Sequence, residues 1–164
     1  MSEEILSAKQ VEQKLERIAY QILEANSESK EIVLAGIVAN GYAVAEKIAD
    51  YINHISDKQV SLCQIQMDKK NPLGPIQSSI ELSALEGKSI TIVDDVLHSG
   101  TTLIYAVRHF LQVSLKKCKT AVLVDRNHKK FPVKADFKGI SLSTSINENV
   151  TVLVTKNGMR AVLE

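Results

Sequence analysis

The stretch SITIVDDVLHSGTT, Ser89–Thr102, passes from a solidly apolar run into two adjacent aspartates and then into small hydroxyl residues around one glycine. An apolar run that stops abruptly in this way reads as a strand buried on both faces. Leu103, Ile104, Val107 and Leu111 recur at helical spacing and predict a helix from about Thr101, with these four residues inward. A helix start offers unpaired N–H groups and the positive end of a dipole, and Gly100 lets an anion approach the main chain closely. Ser99, Thr101 and Thr102 add hydroxyl donors, so the segment Val96–Thr102 suits a phosphate. Asp94 and Asp95 would repel that phosphate unless they face sugar hydroxyls or a divalent cation. Two aspartates at a strand end can also simply cap the next turn, but the hydroxyl–glycine run favours a ligand, and a phosphorylated sugar satisfies both halves.

Working outward, the same strand-then-helix grammar recurs. Ser7 and Gln10 have capping-box spacing ahead of Val11, Leu15, Ile18 and Ile22, predicting an amphipathic helix to about Ala25. Glu31–Val38 reads as a buried strand, followed by a helix from about Tyr42 with Val44, Ile48, Ile52 and Ile55 inward. Val60–Met67 alternates like a strand, and Asp68–Ser79, with two prolines and a glycine, reads as a mobile loop. Lys119–Arg126 and Val150–Thr155 are further strands. The alternation implies an α/β fold with a mainly parallel, twisted sheet flanked by helices on both faces, its ligands bound beyond the carboxyl ends of the strands near Gly36, Asp94 and Arg126.

Composition narrows the function classes. A chain of 164 residues with 45% apolar content suits one domain, 1–164, and a formal charge of +1 carries no general polyanion signal. Cys63 and Cys118 lie far apart and read as reduced, structural thiols. No apolar run approaches the ~20 residues of a membrane span, and the acidic opening MSEEILSAKQ does not read as a signal peptide, so a cytoplasmic protein without membrane association is expected. Gly36–Tyr42 has the glycine spacing of a P-loop, but Tyr42 stands where that loop needs lysine, and G-x-G-x-x-G is absent. A phospho-acceptor receiver domain is disfavoured because the Asp-Asp pair is mid-chain and leads straight into a phosphate loop.

ITIVDDVLHSGTT resembles the phosphoribosyl pyrophosphate (PRPP) signature of type I phosphoribosyltransferases. Together with ILSAKQVEQKLERIAYQI, GIVANGYAVAEKIADYI and AVLVDRNHKKFPVKADFKGISLSTS, it is similar to the PyrR family of bifunctional uracil phosphoribosyltransferases and pyrimidine-operon attenuators. The resemblance implies the type I phosphoribosyltransferase fold with a flexible loop at about 67–80 and a small hood built from the N-terminal segment and about 127–148. It implies PRPP and a nucleobase as substrates, Mg²⁺ as cofactor, and a homo-oligomer, dimer or tetramer.

In that picture Asp94 and Asp95 hold the ribose hydroxyls and meet the metal only indirectly, through PRPP-bound Mg²⁺. Val96, Leu97, His98, Ser99, Gly100, Thr101 and Thr102 hold the 5-phosphate, and Ala39, Asn40 and Gly41 form the pyrophosphate loop. Phe137 stacks on the base, Lys138 reads it through the main chain, and Asp125 and Arg126 complete the base site. A core role for Phe137 is the alternative.

The chain departs from the family pattern at two places. Ala39-Asn40-Gly41 replaces Thr-Arg-Gly, and Gln66-Met67-Asp68-Lys69 replaces Tyr-Arg-Asp-Asp, so two diphosphate-facing arginines are gone. Lys69 and Lys70 are the candidate catalytic replacements. The expected function is transfer of ribose 5-phosphate from PRPP to uracil, giving UMP and pyrophosphate. Alternatives are a catalytically weak, PRPP- or nucleotide-sensing pyrimidine regulator, with or without RNA, and a purine phosphoribosyltransferase. The family's RNA binding would need a basic face, part of which Arg17, His128, Lys129, Lys130 and Lys134 could supply; a solvated hood loop is the alternative reading of residues 127–134, and Glu16 and Tyr20 stand where the resemblance leads one to expect threonine and histidine.

Overall fold

The computed structural model describes residues 2–145 and 147–164. Strand β1 (Glu3–Leu6) leads into helix α1 (Ala8–Ala25), whose first turn is closed by the capping box: Ser7 Oγ accepts from the Gln10 N–H and Gln10 Oε1 from the Ser7 N–H. Then come β2 (Glu31–Ile37), α2 (Asn40–Ile55), β3 (Gln59–Gln66), the short β4 (Gln77–Ser78) and a 3-10 turn (Leu82–Leu85). β5 (Ser89–Leu97), α3 (Thr101–Phe110), β6 (Lys117–Asp125), β7 (Phe137–Ser141), β8 (Val150–Thr155) and β9 (Gly158–Leu163) complete the chain.

The main sheet has the order β4-β3-β2-β5-β6-β7, all parallel except β4. From β2 the chain moves outward to β3 and then returns to the opposite side of β2 to lay down β5. Right-handed crossovers in opposite directions put α2 on one face and α3 on the other. The alternation of side chains follows: Ile32 and Leu34 of β2 pack in the core with α1 and α2, whereas Val33, Ala35 and Ile37 pack with α3. β2 and β5 meet at the reversal of strand order, with Gly36 opposite Val93. The loop after β2 and the aspartates of β5 are thereby neighbours at the crevice where such sheets bind ligands.

Three features of the fold differ from the sequence reading. The inward stripe of α3 is Leu103, Ala106 and Phe110, while Ile104 and Val107 are half-buried and Leu111, just past the helix end, is 59% exposed. The expected stripe was one position off because Ala106 and Phe110, not the β-branched neighbours, face β5. The second feature is a three-stranded antiparallel sheet, order β1-β9-β8, of which only β8 was anticipated. Of the segment expected to form a hood, 137–141 is instead the edge strand of the main sheet, and residue 146 lies outside the described residues.

Gly41 fixes how closely α2 approaches β5. A Cβ there would lie 2.8 Å from the Val93 carbonyl oxygen and 3.0 Å from Asp94 Cα. Helix propensity alone would make Gly41→Ala stabilising by about 0.5–1 kcal/mol. Main-chain atoms of a central strand cannot give way, and overpacking costs about 1–3 kcal/mol. The substitution is therefore expected to lower stability by urea unfolding; a gain would show that α2 is free to back away from β5.

Candidate active site

β5 loses its alternation at the aspartates. Val93 and Val96 pack in the same core, a spacing that a regular strand does not give. Each carboxylate instead accepts from the next main-chain N–H: Asp94 Oδ1 from Asp95 at 2.9 Å, Asp95 Oδ1 from Val96 at 2.8 Å. Asp94 is 2% exposed, and its Oδ1 also receives Lys69 Nζ at 3.3 Å. Burial and the neighbouring Asp95 push its carboxyl up to about 7, with the Lys69 ammonium opposing. Asp95, half-buried, accepts Asn40 Nδ2 on Oδ2 at 3.1 Å.

Past Leu97 the chain turns through Gly100, whose φ of +88° is left-handed and whose Cβ position lies 2.6 Å from Val133 Cγ1. Gly100 caps α3 without a side chain of its own, and the Thr101 N–H, first of the helix, donates to Ser99 Oγ at 3.3 Å. Ser99 Oγ and Thr101 Oγ1 lie 2.8 Å apart, and the Ser99 carbonyl accepts from the N–H groups of Lys130 and Phe131, which pins the loop. A cavity of about 300 Å³ is lined by Asp94 through Leu103, by Lys69 and by Val150–Val152 of β8. Hydroxyls, main-chain N–H groups and two carboxylates thus converge on one volume.

The other expected site residues fall around this volume at different distances. Lys69 lines it, whereas Lys70 is exposed, with its main-chain N–H on Asp68. Ala39, Asn40 and Gly41 open α2 beside Asp94 and Asp95, and the Val38–Ala39 peptide is cis. Phe137, Lys138, Asp125 and Arg126 do not line the cavity. Phe137 is buried in the core with α1, and Lys138 Nζ lies 3.8 Å from Asp125 Oδ2. The carbonyls of Lys138 and Gly139 each accept from Arg17 of α1 at 2.7 Å.

Arg126, 6% exposed, donates to Thr144 Oγ1, to the Ser145 and Glu148 carbonyls and to His98 Nδ1. Accepting at Nδ1 makes His98 a neutral ring with its proton on Nε2. Burial, then the Arg126 charge, hold its pKa below the usual imidazole value.

Residues 1–155 match the model of the phosphoribosyl transferase domain. The chain belongs to that family. Relatives of this phosphoribosyltransferase include proteins named Bifunctional protein PyrR. The one from Pediococcus pentosaceus is 30% identical over 94% of this chain and 93% of its own. That from Clostridium beijerinckii is 34% identical over 90% and 88%. Among solved structures, the hypoxanthine-guanine phosphoribosyltransferase of Bacillus anthracis superposes with a TM-score of 0.77 at 20% identity, covering 98% of this chain and 96% of that one. The hypoxanthine phosphoribosyltransferase of Trypanosoma cruzi gives 0.78 at 14% identity, covering 97% and 95%. Both establish the type I fold.

Sequence reasoning missed β8 as a wall of the phosphoribosyltransferase's cavity, because a strand's main-chain edge leaves no mark in residue type. Asp94 supplies a pH signature. Its folded pKa of about 7 lies above the ordinary aspartate value of 3.8, so its contribution to stability is complete below about pH 4 and is lost as pH rises to about 7. The stability of Asp94→Asn relative to the wild type should rise across that window, by on the order of 2–4 kcal/mol. Urea melts from pH 3.5 to 8 read this, and a flat difference would place the Asp94 titration elsewhere.

Proposed function

We propose that the chain transfers the ribose 5-phosphate of PRPP to uracil and releases pyrophosphate. One observation carries the reading: two carboxylates at the end of β5 and the hydroxyl-lined start of α3 share a single cavity. Ser99, Thr101, Thr102 and the first N–H groups of α3 would take the 5-phosphate, as helix N-termini do. Asp94 and Asp95 would orient the ribose through its 2′ and 3′ hydroxyls. The choice of uracil rests on the resemblance to the PyrR family and is supported by PyrR-named relatives that match over nearly the whole chain; the hypoxanthine-guanine and hypoxanthine phosphoribosyltransferase structures support the purine alternative less because they are more distant in sequence.

The expected Mg²⁺ fits the donor chemistry of this wall, since hard cations take oxygen ligands and Asp94 and Asp95 present carboxylates to the cavity. Among the described residues no group of three or more His, Cys, Asp or Glu is placed to hold a metal ion. When bound, the ion would neutralise charge on the departing diphosphate. The residues' own share is positioning and electrostatics: they fix the sugar, cradle its phosphate and exclude water from an oxocarbenium-like transition state.

Lys69 is the cation that could meet the diphosphate in place of the missing arginines. In this structure it rests on Asp94, and binding of the ribose at Asp94 would release it. Charge-assisted contacts of this kind are worth about 1.5–3 kcal/mol. Lys69→Ala should therefore lower turnover about 10- to 100-fold while Lys70→Ala leaves it within about 2-fold; equal effects would end the distinction. Incubation with PRPP, Mg²⁺ and uracil should yield UMP. Product from hypoxanthine or guanine alone would shift the reading to purines, and tight PRPP binding without product would shift it to a sensor.

RNA binding is a separate reading, against which the acidic Glu16 beside Arg17 counts because it would repel phosphate. Arg17 donates to the β7 carbonyls, His128 pairs with the Thr144 carbonyl and Lys134 lies 3.6 Å from Asp136, while Arg17, Lys129, Lys130 and Lys134 all stay exposed. A gel shift with a pyrimidine-operon leader should show no salt-sensitive, UMP-enhanced complex.

A further inference from the structure

Asn40 opens α2, and its side chain turns into the protein. Nδ2 donates to Asp95 Oδ2 at 3.1 Å and to the Val152 carbonyl oxygen at 2.9 Å. Both partner atoms are acceptors, so only the NH₂ end of the amide satisfies them, and both its hydrogens are used.

A second observation shows why Val152 needs this partner. β8 is the edge of its sheet, and next to it Asn149 and Glu164 exchange both main-chain hydrogen bonds at 2.8 Å. Antiparallel alternation then turns the polar groups of Thr151 toward β9 and those of Val150 and Val152 away from it. Val152 is 2% exposed, and a carbonyl buried there without a strand partner would be costly. Asn40 supplies the missing donor.

The same amide completes the fixing of Asp95. The Val96 N–H holds Oδ1 and Asn40 holds Oδ2, so rotation of the carboxylate is stopped at both oxygens. One lone pair on each remains for a ligand hydroxyl.

We propose that Asn40 is a positioning residue, which aims Asp95 at the ribose hydroxyls by tying it to the free edge of β8, and does not itself contact the diphosphate. The proposal rests on the reading of the cavity as a PRPP site. Removing the amide frees Asp95 to rotate and orphans the Val152 carbonyl. Ligands that carry a ribose lose affinity, and ligands that carry only the diphosphate do not.

Equilibrium binding of PRPP, UMP and inorganic pyrophosphate, each with Mg²⁺, tests this without needing turnover. Asn40→Ala should weaken PRPP and UMP about 10-fold and leave pyrophosphate within about 2-fold. In the Asp95→Asn background the same substitution should change PRPP affinity by less than about 2-fold, because the group it acts through is already altered. Equal weakening of pyrophosphate would mean direct diphosphate contact, and an undiminished loss in the Asp95→Asn background would mean general loosening of the site. Either result overturns the proposal. Where Asn40→Ala does not fold, Asn40→Ser keeps a donor at the helix start and should show a smaller loss with the same selectivity for ribose; a loss shared with pyrophosphate counts against the proposal. A wild-type chain that binds no PRPP overturns the functional reading and the proposal with it, whereas wild-type binding without a selective Asn40 effect overturns the proposal alone.

Discussion

A carboxylate buried at the end of a central strand is the constraint around which this molecule is arranged. Asp94 has lost nearly all its water, and it has neighbours on every side: a second aspartate next in sequence, α2 packed tightly through Gly41, and a lysine from the loop after β3. Desolvating a charge is expensive unless partners replace the water. The protein supplies one main-chain N–H and one ammonium, and the result is a group poised near neutrality instead of one fixed in either state. Such poise is typical of functional sites, where a ligand and not the fold completes the set of partners.

The reversal of strand order between β3-β2 and β5-β6 is what brings those partners together. It sends α2 and α3 to opposite faces and lays the ends of β2 and β5 side by side. The start of one helix then meets Asp95 through Asn40, and the start of the other forms the hydroxyl cradle. Two helix N-termini flank one carboxylate pair, which is an arrangement suited to a ligand with phosphates at both ends of a sugar.

Much of this was legible in the sequence because the signals are local. The capping box of α1, the buried runs of β2, β5 and β6, and the Asp-Asp-to-Gly-Thr-Thr segment each depend on residues a few positions apart. What was not legible depends on tertiary direction. Lys69 and Lys70 are adjacent and identical in type, yet one reaches Asp94 and the other faces solvent. Asn40 reads as a loop residue facing ligand and turns inward because Val152 lacks a strand partner. The inward stripe of α3 was misjudged since Leu111 is as apolar as Leu103, and only the helix end at Phe110 tells them apart.

The small sheet shares its packing with the main one. Val150, Val152, Met159 and Ala161 belong to the same core as α1 and α2 and are almost wholly shielded from water. Lifting β8 away from the cavity would expose side chains worth about 1.5–3 kcal/mol apiece for each of the larger ones. The roof is thus welded to the walls and is ill-suited to act as a door. Passage into and out of the cavity is left to the side bounded by Lys69, where an ion pair with its lysine partly exposed and its aspartate buried opens to a ligand that replaces the ammonium at Asp94.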